Sequence, residues 1–374
     1  MPIKLKIGKV MKFDPYYLIN PKIAQCLMRI EAVKAKILQA PLTVRVLTSL
    51  RETARLASTH YSTKIEGNQL DFSQVEKVIL QEKTFKGKVR DEAEIKGYYA
   101  ALTRVEELAY SGKSLTEELV QQLHALVMGE KGTKKRGRVL YRDGQNAIYE
   151  GHTRRIVYLP PEAGDVSLLM AGLIQWICAN KVLLPCPLLA AIAHYQYVTI
   201  HPYYDGNGRT ARLLTTFVLY QGGYDLKGLY SLEEYYAQNL DAYYVALNRG
   251  PSHNYYFGRA EADITPWIEY FVEGMAVACE NILKRMVVEA SLGKEDHEIL
   301  LRKLDPKQRR ALELFRDFET VTAHQIGELF GFKPRTSAQL CKDWVEVGFI
   351  EVVNASNRNR CYKIGEAFEP LIAK

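Results

Sequence analysis

Twelve residues at 201–212, His-Pro-Tyr-Tyr-Asp-Gly-Asn-Gly-Arg-Thr-Ala-Arg, concentrate the residue types that phosphate chemistry uses. An apolar helical pattern ends at Ile200, and a second one begins after the small residues Gly206, Asn207 and Gly208. The first N–H groups of a helix lack partners and the helix dipole is positive there, so such a loop attracts anions. Glycines also let phosphate oxygens approach the backbone. The stretch therefore predicts a phosphate cradle.

The charged residues of the stretch fit the same chemistry. Arg209 and Arg212 fall near the start of the second helix, where positive charge opposes the dipole unless an anion is bound. Asp205 offers a hard oxygen ligand suited to a Mg²⁺ ion that bridges phosphates. His201 can act as a general base. Together they predict phosphoryl or nucleotidyl transfer; taken singly, they could be an ordinary turn and a structural histidine.

Other catalytic motifs fit the sequence less well. Gly112-Lys113-Ser114 resembles the end of a P-loop, but Glu107 stands where that motif requires its first glycine. A zinc site could be drawn from Cys178, Cys186, His194 and His201. Their spacings match no common zinc site.

The twelve residues resemble the signature HPFxDGNGRxxR of the Fic family, with Tyr203 at the aromatic position. The flanking stretches AAIAHYQYVTI and LLTTFVLYQGGY are also family-like, and the resemblance covers 115 to about 260. It implies a helical domain that moves AMP from ATP to a protein hydroxyl and releases pyrophosphate. The protein would then be an adenylyltransferase, or AMPylator, of Ser, Thr or Tyr side chains, with ATP and Mg²⁺ as cofactors.

The resemblance also implies a role for each matched residue. His201 would deprotonate the acceptor hydroxyl, Asp205 would hold Mg²⁺, and Arg212 would bind the γ-phosphate. The implied anion hole consists of Gly206, Asn207, Gly208 and Arg209. Tyr243 and Tyr244 resemble a pair that lines the adenine site, although a tyrosine pair on a helix is as often core packing.

A β-hairpin is predicted over 137–161, where Asp143-Gly144 is a turn signal and Pro160-Pro161 ends a stretch rich in Tyr, Ile and Val. The resemblance implies that the hairpin near 142–149 is a flap. Such a flap pairs with the substrate segment that carries the acceptor hydroxyl, as an added β-strand, and so aligns it. The expected flap residues are Gln145, Asn146, Ala147 and Ile148.

A second motif lies upstream, at Ser62-Thr-Lys-Ile-Glu66-Gly67. Ser62 and Glu66 are one helical turn apart on one face, and Gly67 can end that helix. The segment resembles the family's inhibitory helix, whose glutamate pairs with the second arginine of the signature. The resemblance implies that Glu66 binds Arg212 and blocks the productive ATP pose; the plain alternative is a capped helix end.

The remaining patterns are mostly helical. Over 21–39, apolar residues recur at spacings of three or four, namely Ile23, Leu27, Ile30, Val33 and Ile37. Asp71 and Ser73 are candidate caps of another helix. Further helical patterns cover 43–61, 91–111, 115–128, 163–179, 188–200, 231–248 and 264–290.

The C-terminal part predicts three helices followed by a hairpin whose turn is 356–359, which is the winged-helix order. Asp305 and Pro306 give the first of these helices a good start. The third is expected to bury one face, formed by Ser337, Leu340, Trp344 and Val347. Residues 296–374 carry 13 basic and 12 acidic residues, so DNA binding and a dimerisation or docking role both stay open.

The predicted fold class is therefore mainly α. We expect an N-terminal helical region at 1–114 with the inhibitory motif at 62–67, a Fic domain with its flap at 115–264, a connecting helix at 265–295 and a winged helix-turn-helix domain at 296–374. The expected partners are an unknown protein substrate, the chain itself by auto-modification, DNA through 296–374, and a second copy in a homodimer. Two alternatives are a winged-helix transcriptional regulator with an accessory Fic domain, and a Fic transferase using another donor such as UTP or CDP-choline; Asp205 and Arg212 favour a triphosphate.

Composition adds limits on the class of protein. The 374 residues are 25% charged and 47% hydrophobic, which is typical of globular proteins and excludes a mainly disordered chain. The best apolar run, 168–177, is half the length of a membrane span. The basic N-terminus lacks the apolar core of a signal peptide, and six cysteines without a CxxC pair predict free thiols. We therefore expect a cytoplasmic protein without a membrane partner.

Overall fold

The computed structural model describes residues 13–40, 42, 44–129, 139–149, 155–292, 297–354 and 360–372. These residues are mostly helical, with two small antiparallel sheets, so the prediction of a mainly α fold is confirmed. The chain divides into two compact units. One consists of Met1–Ile37 with Thr53–Ile282, and the other of Leu38–Glu52 with Leu283–Lys374.

The second unit includes a segment that the predicted boundaries assign elsewhere. Leu38–Glu52 falls inside the N-terminal region predicted at 1–114, but it clusters with the C-terminal residues. Val44 is buried in the same hydrophobic cluster as Leu312 and Trp344. The sequence gives no sign of this division because three helices, Pro21–Gln39, Val44–Ile65 and Thr265–Leu292, each continue across one of its boundaries.

The helices up to Leu292 are α1 Pro21–Gln39, α2 Val44–Ile65, α3 Phe72–Leu80, α4 Val89–Tyr110, α5 Glu117–Val127, α6 Ala163–Asn180, α7 Cys186–Ile200, α8 Asn207–Gln221, α9 Glu233–Gln238, α10 Leu240–Leu247 and α11 Thr265–Leu292. Strands β1 Ile148–Tyr149 and β2 Ile156–Tyr158 form the first sheet. No described helix is both long enough and apolar enough to cross a membrane.

Local signals account for several of these boundaries. Helix α1 buries the predicted stripe, except that Cys26 takes the buried place expected for Leu27, because spacings of three and four both keep a residue on one face. Helix α3 begins with a capping box. The Asp71 side chain accepts a hydrogen bond from the Gln74 backbone N–H, and the Gln74 side chain accepts one from the Asp71 backbone N–H. Ser73, the other candidate cap, lies inside the helix.

Helices α7 and α8 form the support of the signature loop. Nearly every residue of α7 is buried, which is typical of a helix packed on all sides. Neighbours α6 and α8 flank it, and the Trp267 indole donates to the Ala191 carbonyl at 2.8 Å. The loop that joins α7 to α8 is therefore held at both ends by core helices.

The hairpin exists, but its turn is not where the sequence predicts it. Ile148 pairs with Tyr158, so the connection lies within 150–154, outside the described residues. The Asp143-Gly144 prediction is wrong because these residues form a bend around the Tyr204 hydroxyl. That hydroxyl donates to Asp143 Oδ1 and accepts from the Gly144 N–H, each at 2.8 Å.

In the second unit, four further helices precede or alternate with three strands. They are α12 His297–Lys303, α13 Pro306–Asp317, β3 Val321–Thr322, α14 Ala323–Phe330, α15 Pro334–Glu346, β4 Ile350–Asn354 and β5 Cys361–Ile364. The strand order is β3-β5-β4, all antiparallel. The predicted turn at 356–359 lies outside the described residues.

The buried face of α15 is shifted from the predicted one. Ser337 and Trp344 are buried as expected, but Cys341 replaces Leu340 at the centre of the face. Val347 is exposed, since it caps the end of the helix rather than continuing the face.

The capping box of α13 gives a test of local stability. Asp305 Oδ1 accepts from the N–H groups of Lys307 and Gln308 at 2.7 and 2.9 Å, and the Gln308 side chain reaches back to Asp305 N. We expect Asp305→Ala to cost about 1 kcal/mol and to raise hydrogen exchange of the 306–317 peptide roughly fivefold. Asp305→Asn keeps the acceptor oxygen, so it should change exchange by less than about twofold. Equal effects of the two variants would contradict the capping role.

Candidate active site

The signature begins at an uncommon backbone conformation. His201 ends α7 with φ 52° and ψ 60°, in the left-handed region that non-glycine residues rarely adopt. Its N–H donates to the Tyr197 carbonyl at 3.0 Å, and its Nδ1 lies 3.3 Å from the Val198 carbonyl oxygen. Burial lowers the pKa of the imidazole to about 4. The side chain is therefore neutral near pH 7 and able to accept a proton.

The loop after His201 is fixed by its own side chains. Asn207 is buried and binds the Tyr203 backbone twice, accepting from its N–H at 3.0 Å and donating to its carbonyl at 2.7 Å. Gly206 has φ 74°, and a Cβ there would come within 2.8 Å of Met128 Sδ. Only glycine fits this position without displacing a neighbour.

Asp205 is the most accessible charged group of the loop. Its side chain is 55% exposed, while its Oδ1 accepts from the Gly206 N–H at 2.6 Å and from Arg209 Nη2 at 3.3 Å. These bonds orient the carboxylate at the start of α8 and leave it open to solvent.

Both signature arginines are buried, each 2% exposed. Arg212 donates from Nε to Ser62 Oγ at 2.7 Å and from Nη2 to the Ser62 carbonyl and Glu66 Oε1, each at 2.8 Å. Within the described residues, Arg212 Nη1 and Arg209 Nε have no hydrogen-bond partner. Buried donors without partners are rare and require an explanation, and an anion in the loop would supply their acceptors.

The upstream motif therefore contacts the signature, as the family resemblance implies. Ser62 is fully buried, and Glu66 keeps 30% of its side chain exposed. Gly67 has φ 93° and lies two residues after Ile65, the last residue of α2, so it ends the helix beside the loop. A Cβ on Gly208 would lie 2.2 Å from Glu66 Oε1, which shows how closely the carboxylate approaches the start of α8.

The predicted flap residues lie beside the same loop. Asn146 donates to the Tyr203 carbonyl at 3.3 Å, and its Oδ1 accepts from the Ala147 N–H at 2.8 Å. Gln145 donates to the Pro160 carbonyl at 2.9 Å across the hairpin. Ile148 is the first residue of β1.

The two tyrosines of the predicted adenine site differ in their surroundings. Tyr243 is buried, its hydroxyl lies 3.0 Å from His194 Nε2, and its ring stacks on that of Tyr236. Tyr244 is half-exposed, and partial burial followed by the charge of Glu66 raises the pKa of its phenol. Only Tyr244 therefore offers an accessible face near the Glu66–Arg212 pair.

Three residues of the site carry no signal in the sequence. Arg142 donates to the His201 carbonyl at 2.9 Å. Glu94 accepts from Asn68 Nδ2 at 3.1 Å and lies 4.0 Å from Arg209 Nη1. His124 stacks on Tyr203 with a 3.5 Å centroid distance, and burial lowers its pKa to about 4. They belong to no local motif because the fold brings them in from distant segments.

Comparison with known families agrees with the geometry. A family model described as Fic/DOC family matches residues 114–219. The protein adenylyltransferase Fic of Drosophila erecta is 32% identical over 180 residues, which are 48% of this chain and 34% of that protein. The protein of the same name from Culex quinquefasciatus is 33% identical over 181 residues, with the same coverage. The chain thus spans about a third of the length of these curated relatives.

Solved structures show the same fold. A Fic family protein from Desulfovibrio desulfuricans has a TM-score of 0.59 at 21% identity, over 95% of this chain and 99% of that one. A signaling protein from Bacteroides thetaiotaomicron that contains a Fic domain has a TM-score of 0.58 at 25% identity, over 74% of this chain and all of that one.

The environment of His201 predicts its titration. Because burial lowers the pKa to about 4, the imidazole should stay neutral from pH 8 down to about pH 5, unlike an ordinary histidine near 6.5. We expect the NMR signal of ¹³Cε1-labelled His201, assigned by its absence in His201→Ala, to shift with a midpoint near 4. A midpoint between 6 and 7 would show that the side chain is solvated rather than buried.

Proposed function

The chain carries a Fic/DOC family domain over residues 114–219, and on this basis we propose that it is a protein adenylyltransferase. It would transfer AMP from ATP to Ser, Thr or Tyr hydroxyls. The observation that carries the proposal is the pair of buried arginines at the start of α8, each with an N–H that lacks an acceptor among the described residues. The name of the curated relatives supports the same activity.

We assign the chemistry to His201. Its neutral imidazole accepts the proton of the acceptor hydroxyl while the hydroxyl oxygen attacks the α-phosphorus of ATP. The bond from that phosphorus to the oxygen bridging to the β-phosphate breaks, and pyrophosphate leaves with the electron pair. The N–H groups of residues 207–209 and the guanidinium groups of Arg209 and Arg212 would face the negative charge of the phosphates.

The donor set also fits Mg²⁺. No group of three or more His, Cys, Asp or Glu side chains is poised to hold a metal within the described ranges. Mg²⁺ does not require one, because proteins bind it through one or two carboxylates together with substrate phosphates and water. The half-exposed Asp205 would hold the ion, whose charge would offset that of the phosphates. ATP and Mg²⁺ are thus the proposed cofactors.

The acceptor would bind along the hairpin. In the described residues β1 is an edge strand of a two-stranded sheet, and an edge strand can pair with an extended peptide segment. Asn146 joins the start of β1 to the signature loop. The proposed acceptors are an unidentified protein and the chain itself, with a homodimer and a cytoplasmic location as further proposals; six free cysteines fit a reducing compartment.

We further propose that the arrangement at Arg212 is an inhibited one. Glu66 occupies a guanidinium nitrogen with a carboxylate and places its charge beside Gly208. A γ-phosphate bound to the unpartnered Nη1 of Arg212 would lie beside that carboxylate and would be repelled by its charge. The pair therefore opposes the ATP pose in which an acceptor could attack in line with pyrophosphate.

The DNA-binding alternative receives less support. The exposed residues of α15 include Arg335 and Lys342 but also Asp343 and Glu346, so this face of the predicted winged helix lacks the basic footprint of a DNA reader. For the donor, the two buried arginines favour a triphosphate such as ATP over CDP-choline, which carries fewer phosphate charges.

The role of the base can be tested by removal. His201→Ala should reduce transfer of labelled AMP by about 10²–10⁴-fold, because the proton acceptor is lost. The dissociation constant of Mg-ATP should change by less than about threefold, since the cradle and arginines remain. Transfer within tenfold of the unaltered protein would exclude His201 as the base.

Breaking the Glu66–Arg212 pair should increase the rate of AMP transfer, whereas removing His201 should reduce it. Glu66→Gly removes the competing carboxylate and frees Arg212, so auto-modification in saturating Mg-ATP should rise. A partly buried ion pair of this kind is worth on the order of 2–4 kcal/mol, or roughly 30- to 1000-fold in rate. Intact mass and peptide mapping measure the transfer.

Three control variants separate the possible causes. Glu66→Gln removes the charge but keeps the shape, and should activate in the same direction. Lys64→Gly places a glycine in the same exposed helical turn and should not activate. Arg212→Ala should be inactive with or without Glu66→Gly. Equal rates for Glu66→Gly and the unaltered protein would exclude the inhibitory role and leave the transferase proposal standing.

A further inference from the structure

Arg142 is a buried cation whose position needs an explanation. It is 3% exposed, and taking a guanidinium out of water is costly unless its donors are satisfied. Its side-chain partners among the described residues are three backbone carbonyls and the Gln145 amide oxygen, and none is a carboxylate. Its charge is therefore balanced by dipoles that converge from different segments.

Two of its contacts lie on the strained turn at the end of α7. The left-handed conformation of His201 is unfavourable for a non-glycine residue and must be held by its surroundings. The Arg142 backbone N–H donates to the Pro202 carbonyl at 3.0 Å, and its Nε donates to the His201 carbonyl at 2.9 Å. One residue thus binds both carbonyls of the dipeptide that sets the direction of the imidazole.

The other contacts lie on the hairpin. Nη1 donates to the Gly144 carbonyl at 3.0 Å and to Gln145 Oε1 at 3.4 Å, just before β1. Nη2 donates to the Pro161 carbonyl, just after β2. Because the guanidinium is a rigid planar fork, these bonds fix both ends of the hairpin relative to the His201 carbonyl.

We propose that Arg142 is a positioning residue, which holds the proposed base His201 and the acceptor-binding hairpin in one fixed relation. The inference rests on the transferase function proposed above. The positioning role requires that the rate of AMP transfer depend on the planar shape of the guanidinium as well as on its positive charge. A lysine at position 142 would keep the charge, but its ammonium is a compact point charge without that shape. ATP binding should not depend on Arg142, because the loop at 205–208 is held by Asn207 and Asp205.

Arg259 provides a matched control. It is also buried, and its partners among the described residues are the carbonyls of Leu247 and Arg249 and the Asn248 amide oxygen. Its guanidinium lies over the ring of Tyr158 in β2. It therefore resembles Arg142 in burial and bonding and contacts the same hairpin, but it does not bind His201 or Pro202.

The test compares Arg142→Lys with Arg259→Lys, each in the Glu66→Gly background. We expect Arg142→Lys to slow auto-modification about 10²-fold or more, the scale of a misplacement near 1 Å. The dissociation constant of Mg-ATP should stay within about twofold, and Arg259→Lys should transfer within about threefold of its parent. Transfer by Arg142→Lys within threefold, or an equal loss in Arg259→Lys, would overturn the proposal.

Two further measurements keep the proposal testable if a variant is unstable or the parent is inactive. AMP transfer by Arg142→Ala should be restored by millimolar guanidinium and not by methylammonium. Restoration by neither ion would contradict the requirement for a guanidinium at this position. The ¹³Cε1 signal of His201 should move in Arg142→Lys and not in Arg259→Lys. If the parent transfers no AMP, the proposed function fails, and an unmoved His201 signal would separately overturn the positioning role.

Discussion

The site depends on the burial of Arg212 at the start of α8. A buried guanidinium is tolerated only when nearly all its donors have acceptors, and removing one partner of such a group typically costs about 3–5 kcal/mol. Here the acceptors come from the last turns of α2, through Ser62 and Glu66. The bonds of Arg212 to Ser62 and Glu66 thus determine both the position of the end of α2 and the proposed binding of an anion at the start of α8. An anion that binds the remaining donor, Arg212 Nη1, would lie beside the Glu66 carboxylate on Nη2.

The burial of α7 fixes the position of His201 next to the loop that leads into α8. Because α7 is buried on nearly all sides, its end is held in place, and so is His201, which directly follows it. The left-handed turn at His201 directs the chain into the Asp205–Gly208 loop. The strain of that turn is maintained by contacts from outside the signature, from Arg142 above all. The loop itself is braced within the signature, by Asn207 on Tyr203. The proposed base His201 and the proposed anion cradle are therefore supported by separate contacts, although they are close in sequence.

The sequence predicts those parts of the molecule that local chemistry controls. The stripe of α1, the caps at Asp71 and Asp305, and the helix end at Gly67 each follow from a few neighbouring residues. The meeting of Glu66 with Arg212 could be anticipated only through a family resemblance, because 146 residues separate them. The predicted hairpin turn at Asp143-Gly144 is wrong because both residues bind the hydroxyl of Tyr204, which is distant in sequence. Arg142 and Glu94 gave no signal, since a single charged residue on a helix or loop is ordinarily solvated.

The two signature arginines differ in the partners that bind them, which bears on the proposed inhibition. Arg209 is paired with Asp205 inside its own loop, and the more distant Glu94 lies 4.0 Å away on α4. Arg212 donates instead to Ser62 in α2 and to Glu66, the residue that directly follows α2. Asn68, which directly follows the end of the inhibitory motif, binds both the Asp91 carbonyl and Glu94 on α4. Withdrawal of Glu66 therefore need not disturb Arg209, but a large displacement of the α2 end would also break the Asn68 bonds. A side-chain rotation of Glu66 breaks fewer bonds than a movement of the helix, so the proposed inhibition would be relieved at least cost by reorienting the carboxylate while α2 stays in place.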